Sequence, residues 1–194
     1  MNSTRLEAFS DAVIAIVMTI LVLELKIPHG TDLESLRPLL PVFLTYVLSF
    51  IYLAIYWNNH HHMLQATHSV NGKVLWANMH LLFWLSMVPF VTGWMGENHF
   101  APLPTAVYGG VLLCSAIAYT ILQTTIVRHH DQKNEMLARA VGKDVKGKIS
   151  IALYLVAIIA AFLHQSISHV IYVLVALVWL VPDRRIEKEV ESEN

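Results

Sequence analysis

The chain has 194 residues, of which 56% are hydrophobic and 14% charged; its mean hydropathy is +0.54 and its formal net charge −1. That composition excludes an ordinary soluble domain and a disordered chain, and it points to a polytopic membrane protein. The near-zero net charge singles out no partner, and no nucleic-acid partner is expected.

Apolar windows of about 20 residues, matched to a hydrocarbon core of roughly 30 Å, give six spans. They cover residues 9–27, 39–57, 74–94, 106–127, 149–163 and 167–181. The expected fold is therefore all-α, one six-helix transmembrane domain filling residues 1–194. Arg5, Lys73, the basic segment 128–148 and Arg184, Arg185 and Lys188 all fall on one side of this arrangement, leaving Lys26 and Arg37 on the other. The excess of Lys and Arg marks the cytoplasmic side, so both termini are expected there.

The first span is an apolar helix on a polar foot, Arg5 to Asp11. A signal peptide is not expected, because Asp11 and Glu24 flank the apolar run and no small-residue cleavage site follows it. An Asp at the centre of a membrane span costs about 2.5–3.5 kcal/mol on insertion scales, and less near the end, so Asp11 should face protein or water rather than lipid. At 100° per residue, and with Ile16 at zero, Phe9, Ile20, Leu23 and Ile27 cluster within roughly 40° of it, while Ser10 lies near 120° and Asp11 near −140°. Thr19 sits on the margin of the stripe. The Asp and the apolar stripe therefore cannot face one axis together, which disfavours a carboxylate ring in a pore.

A short loop or broken helix start is expected over residues 28–41, which hold Gly30, Pro38 and Pro41 together with Asp32 and Glu34. The second span ends in Trp57-Asn58-Asn59-His60-His61-His62, and the third opens with Trp76-Ala77-Asn78-Met79-His80. Six alternating spans place Ser10, Asp11, Asn58, His60, His61, Asn78 and His80 at similar depth, and these are the donors and acceptors that a membrane carboxylate needs. In the third span Pro89, with Gly93 and Gly96, permits a kink or early exit. The Gly109-Gly110 pair of the fourth span reads as ordinary close packing. Within the basic segment 128–148, Glu135, Met136, Leu137 and Val141 suggest a short amphipathic surface helix. The tail 183–194 is charged and should be solvated. Cys114, the single cysteine, allows neither a disulfide nor a thiolate metal site within one chain.

Arg5-x-x-x-Phe9-Ser10-Asp11 resembles the signature of the transmembrane protein 175 family of potassium-permeable channels, and the apolar run after it is similar to that family's pore helix. The resemblance implies that a single six-helix repeat assembles as a homotetramer in the membrane of a prokaryotic cell, with four copies of the first helix around the path of the potassium ions. It places the pore constriction on Ile16, Ile20 and Leu23 and the pore-adjacent threonine at Thr19. It also implies a buried polar network of Arg5, Ser10, Asp11, Trp57 and a histidine, with His60, His61 and His80 all fitting by depth. No Thr-Val-Gly-Tyr-Gly filter occurs, so selectivity would have to come from a narrow apolar ring that ions cross after losing part of their hydration.

Two other classes compete with this reading. Asp11 and the histidines could form the relay of a proton- or cation-coupled transporter. The 11 histidines could ligate a metal or haem, but three neighbours on a helix point about 100° apart, so they are expected to be structural, with no metal and no cofactor. Enzyme motifs such as His-Glu-x-x-His, a P-loop or a Gly-rich dinucleotide loop do not occur, and no enzyme is expected.

Overall fold

The structure, a computed structural model, describes residues 3–65, 67, 70–130 and 144–180, and every regular element among the described residues is helical. Helix α1 (Ser3–Ile20) tightens into a 3₁₀ turn over Leu21–Glu24, and a second 3₁₀ segment, Leu33–Leu39, leads into α2 (Leu40–Gln65). Then follow α3 (Gly72–Ser86), α4 (Val88–Glu97), α5 (Pro102–His130), α6 (Val145–Leu163) and α7 (Gln165–Leu180). Among the described residues, five stretches are long and apolar enough to cross a membrane, α3 and α4 together making one of them. The sixth predicted span falls on α7, whose 16 residues reach about 24 Å, short of a full hydrocarbon core. Residues 131–143, with the expected surface helix, and the tail 183–194 lie outside the described residues.

Local chemistry explains where the helices start and break. The first helix does not continue to Ile27 as its hydropathy suggests. Leu25 is already extended, because Pro28 disfavours helical backbone at Ile27 and Glu24 and Lys26 favour the interface. Over residues 28–41 the broken helix start is found: the Asp32 carboxylate caps the 3₁₀ segment by accepting from the Ser35 amide at 3.0 Å. The Ser35 hydroxyl and amide together hold Asp32 below the usual carboxylate range. The expected kink in the third span is a one-residue interruption at Met87, whose backbone stays in the right-handed helical region, with Pro89 in the first turn of α4, where its missing N–H costs nothing.

Packing centres on α5, which runs against α3, α4 and α6, while α2 touches α1, α4 and α7. A buried hydroxyl cluster ties these helices together. Ser49 Oγ lies 3.0 Å from Tyr108 Oη and 2.7 Å from Thr92 Oγ1. The Tyr52 hydroxyl donates to the Tyr172 carbonyl at 2.6 Å, and the Tyr172 hydroxyl to the Thr105 carbonyl at 3.0 Å. Gly93 and Gly96, expected to loosen the helix end, instead stay helical and admit neighbours. A Cβ at Gly96 would stand 2.7 Å from the Val42 Cα, and one at Gly93 would meet the Glu24 carboxylate. Gly109 is likewise closed by Tyr172 and Ile158, whereas Gly110 faces open space. Because the Val42 backbone cannot yield, Gly96→Val is expected to lower stability by about 1–3 kcal/mol, read as a lower thermal midpoint in detergent.

Between α4 and α5 the chain turns through two left-handed residues, His99 (φ 47°) and Phe100 (φ 60°). The Phe100 amide donates back to the Met95 carbonyl at 3.0 Å, closing the end of α4. Left-handed backbone costs a non-glycine residue about 1–2 kcal/mol. His99→Gly is therefore expected to raise the thermal midpoint, while Phe100, whose ring packs edge-on against His169, is left in place.

Lys26 and Arg37 are both neutralised locally. Lys26 Nζ lies 2.6 Å from Glu97 Oε1 and Arg37 Nη1 lies 3.0 Å from Glu34 Oε1. Both pairs are exposed, so their energetic weight is small.

Candidate pore helix and its polar brace

Helix α1 carries three chemically distinct faces. Its buried face is Leu6, Ser10, Ile14, Val17 and Leu21, residues that fall between about 80° and 160° on the wheel that has Ile16 at zero. A separate face, about 110° round the helix, holds Phe9, Ile16, Ile20 and Leu23, exposed by 48%, 57%, 39% and 76%. The 3₁₀ turn does not disturb this, because 120° per residue brings Leu23 back to the stripe. Thr19, on the stripe's margin, is exposed, and its hydroxyl donates to the Ile16 carbonyl at 2.8 Å. That bond spends the single proton of the hydroxyl and leaves its oxygen able to accept only.

Behind the stripe, Ser10 is held by a chain of hydrogen bonds whose directions follow from counting protons. The Ser10 hydroxyl donates to the Leu6 carbonyl at 2.8 Å. Having one proton, it can only accept from Asn78, whose Nδ2 lies 2.9 Å away. Asn78 therefore turns its carbonyl oxygen to His60, and His60 Nε2, 2.7 Å distant, must carry the proton. Ser10, His60 and Asn78 are all fully buried, so this chain joins α1, α2 and α3 where an unmet donor would cost most.

The third face is acidic. Asp11 Oδ1 accepts from Trp57 Nε1 at 3.0 Å, and the Trp57 indole stacks on His61 at 5.7 Å and 20°. His61 Nδ1 lies 3.0 Å from Glu7 Oε1, near enough for an ion pair but without the alignment of a hydrogen bond.

The residues named for the network thus separate into two groups and two outliers. Ser10 and His60 share one chain through Asn78, and Asp11, Trp57 and His61 share another with Glu7. Arg5 is exposed and makes no ion pair among the described residues. His80 is exposed too and accepts from Trp84 Nε1 of its own helix at 2.9 Å. Glu7 went unnoticed in the sequence, although its place one turn before Asp11 puts both carboxylates on one side of the helix.

Fold and site together define a multi-pass, all-helical membrane protein whose first helix is braced from behind and presents an apolar face outward. A family model described as the endosomal/lysosomal potassium channel TMEM175 matches residues 5–89. A potassium channel of Chryseobacterium sp. (strain P1-3) is 53% identical over 192 residues, covering 99% of this chain and all of that protein. A potassium channel of Chamaesiphon minutus is 31% identical over 179 residues, 84% of this chain and 86% of its own. The crystal structure of a lysosomal potassium-selective channel TMEM175 homolog from Chamaesiphon minutus superposes with a TM-score of 0.78 at 27% identity, covering 93% of this chain and 97% of that one. The chain belongs to the TMEM175 family, a family of ion channels rather than enzymes.

Proposed function

We propose that the chain is a potassium-preferring cation channel, a homotetramer in the cell membrane of a prokaryote, with α1 of each subunit lining the pore. The observation that carries the reading is the outward stripe Ile16, Ile20 and Leu23, on a helix whose separate buried face is fixed by the Ser10–Asn78–His60 chain. The relatives named as potassium channels support it. Four copies of the stripe around one axis make apolar rings, which an ion crosses only after shedding part of its hydration, a smaller loss for potassium than for sodium. Thr19, whose oxygen is able to accept only, adds a ring of four oxygens beside the Ile16 ring. Such rings also close by dewetting when they narrow.

Both termini face the cytoplasm in this reading. Arg5, Lys73, Arg128, Lys146 and Lys148 then lie inside, and the two cations on the outer side, Lys26 and Arg37, are already paired with Glu97 and Glu34. The test is cation flux into liposomes that hold the purified protein. The expected result is potassium uptake well above protein-free liposomes and above sodium uptake under the same gradient. No potassium uptake above the blank overturns the proposal, and saturable, counter-ion-dependent flux would turn it into a transporter.

A further inference from the structure

We propose that Glu7, Asp11 and His61 form a binding site for one divalent cation of the zinc class at the seam between α1 and α2. One ligand-capable atom from each residue lies within 4.8 Å of the others, and all three residues are half-buried. One pair, His61 Nδ1 and Glu7 Oε1, stands at 3.0 Å, a few tenths of an ångström inside the roughly 3.3–3.6 Å between two ligands about 2.0–2.2 Å from a tetrahedral zinc. His61 Nδ1 is itself shielded from solvent and has no hydrogen-bond partner. Two carboxylates and the ring nitrogen of an imidazole converge only if a proton or a metal cation stands between them, because oxygen and nitrogen lone pairs otherwise repel. A mixed nitrogen and oxygen set favours a first-row transition ion over calcium or magnesium, which prefer oxygen alone.

Support from the surroundings follows the pattern of a metal site. The Trp57 indole fixes two of the three ligands at once, donating to Asp11 Oδ1 and stacking on His61. Outer-shell groups of this kind set ligand orientation. The hydrogen bond from Trp57 occupies one Asp11 oxygen and leaves the other for the ion. Three protein ligands leave a coordination position for water, and the partial exposure of the site lets the metal exchange. His61, Glu7 and Asp11 thereby form a set that treating the histidines of one helix as neighbours could not suggest, since the site draws one histidine from α2 and two carboxylates from α1. A bound ion would rivet the foot of α1 to α2.

The experiment uses the full chain, purified in detergent without a polyhistidine tag, and titrates Zn²⁺ and Co²⁺ directly. The expected result is one tight Zn²⁺ per chain, a rise in thermal midpoint with Zn²⁺ but not with Mg²⁺, and the visible absorption of low-coordinate Co²⁺, lost on adding Zn²⁺. Glu7→Gln and His61→Gln should each weaken binding by at least the roughly 10–100-fold that losing an outer-shell partner costs. Trp57→Phe, which keeps the stacking and loses the hydrogen bond, should weaken it by about tenfold. His29→Ala, beyond the other end of α1, should bind as wild type does. Absence of stoichiometric Zn²⁺ binding overturns the proposal outright. Binding that survives both Glu7→Gln and His61→Gln overturns it as well, since the ion would then sit on other histidines. Size-exclusion elution of each variant distinguishes lost binding from lost fold.

Discussion

Replacing Ile16 with Asn is expected to raise cation conductance and to bring the potassium-over-sodium permeability ratio close to unity. Ile16 is 57% exposed on the outward stripe, so in a four-fold pore its side chain forms an apolar ring with no oxygen to replace lost water. The height of that barrier is the cost of partial dehydration, and it differs between ions. Four amide groups in the same ring offer hydrogen-bonding oxygens and let water in, so the barrier falls for both ions and falls further for the more strongly hydrated sodium. Each 1.4 kcal/mol removed multiplies the rate by about ten. The packing of the chain itself should be undisturbed, because the residues buried on α1 are Leu6, Ser10, Ile14, Val17 and Leu21. Reversal potentials in planar bilayers under opposed potassium and sodium gradients measure the ratio directly.

Asn78→Ala should strongly lower stability. Asn78 is fully buried and serves two partners, donating to Ser10 Oγ and accepting from His60 Nε2. Truncation leaves a buried imidazole N–H without an acceptor, at a cost of about 1–3 kcal/mol, and removes a second bond whose net contribution is about 1 kcal/mol. The resulting cavity adds to both. Ser10→Ala keeps the Asn78–His60 bond, but it removes the bond from Asn78 Nδ2 and the hydroxyl's own bond to the Leu6 carbonyl, and the buried amide N–H it leaves unmet costs about 1–3 kcal/mol without a comparable cavity. In the double variant the two losses should be less than additive, because they share one hydrogen bond. Thermal midpoints of the four proteins in one detergent give the cycle.

The stripe was legible in the sequence because helical phase is arithmetic: Ile16, Ile20 and Leu23 share a face whatever surrounds them, and the structure leaves that face uncovered. The interruption before Pro89 was legible for a similar reason, since a missing N–H acts locally. What could not be read were pairings between helices. The order of spans puts His60, His61 and His80 at one expected depth, and only the rotation of α2 and α3 about their axes decides that His60 meets Asn78, His61 meets Glu7 and His80 turns to Trp84. Arg5 shares a signature with Asp11, yet it stands six residues before it, about 120° away around the helix, and is exposed. The roles of Gly93 and Gly96 depended on Glu24 and Val42, which lie far away in sequence. A hydropathy window also cannot separate α1 from the extended residues after it, because Leu25 and Ile27 are as apolar as the helix they follow.

Thiol modification of Leu23→Cys in a Cys114→Ser background tests most directly whether the outward face of α1 lines the pore. Leu23 is 76% exposed, and Ile159 on α6, 65% exposed, provides the comparison away from α1. A charged, water-soluble thiol reagent should block potassium flux through the Leu23→Cys protein and leave flux through Ile159→Cys unchanged. Undiminished flux after complete modification of Leu23→Cys would contradict a pore lined by α1.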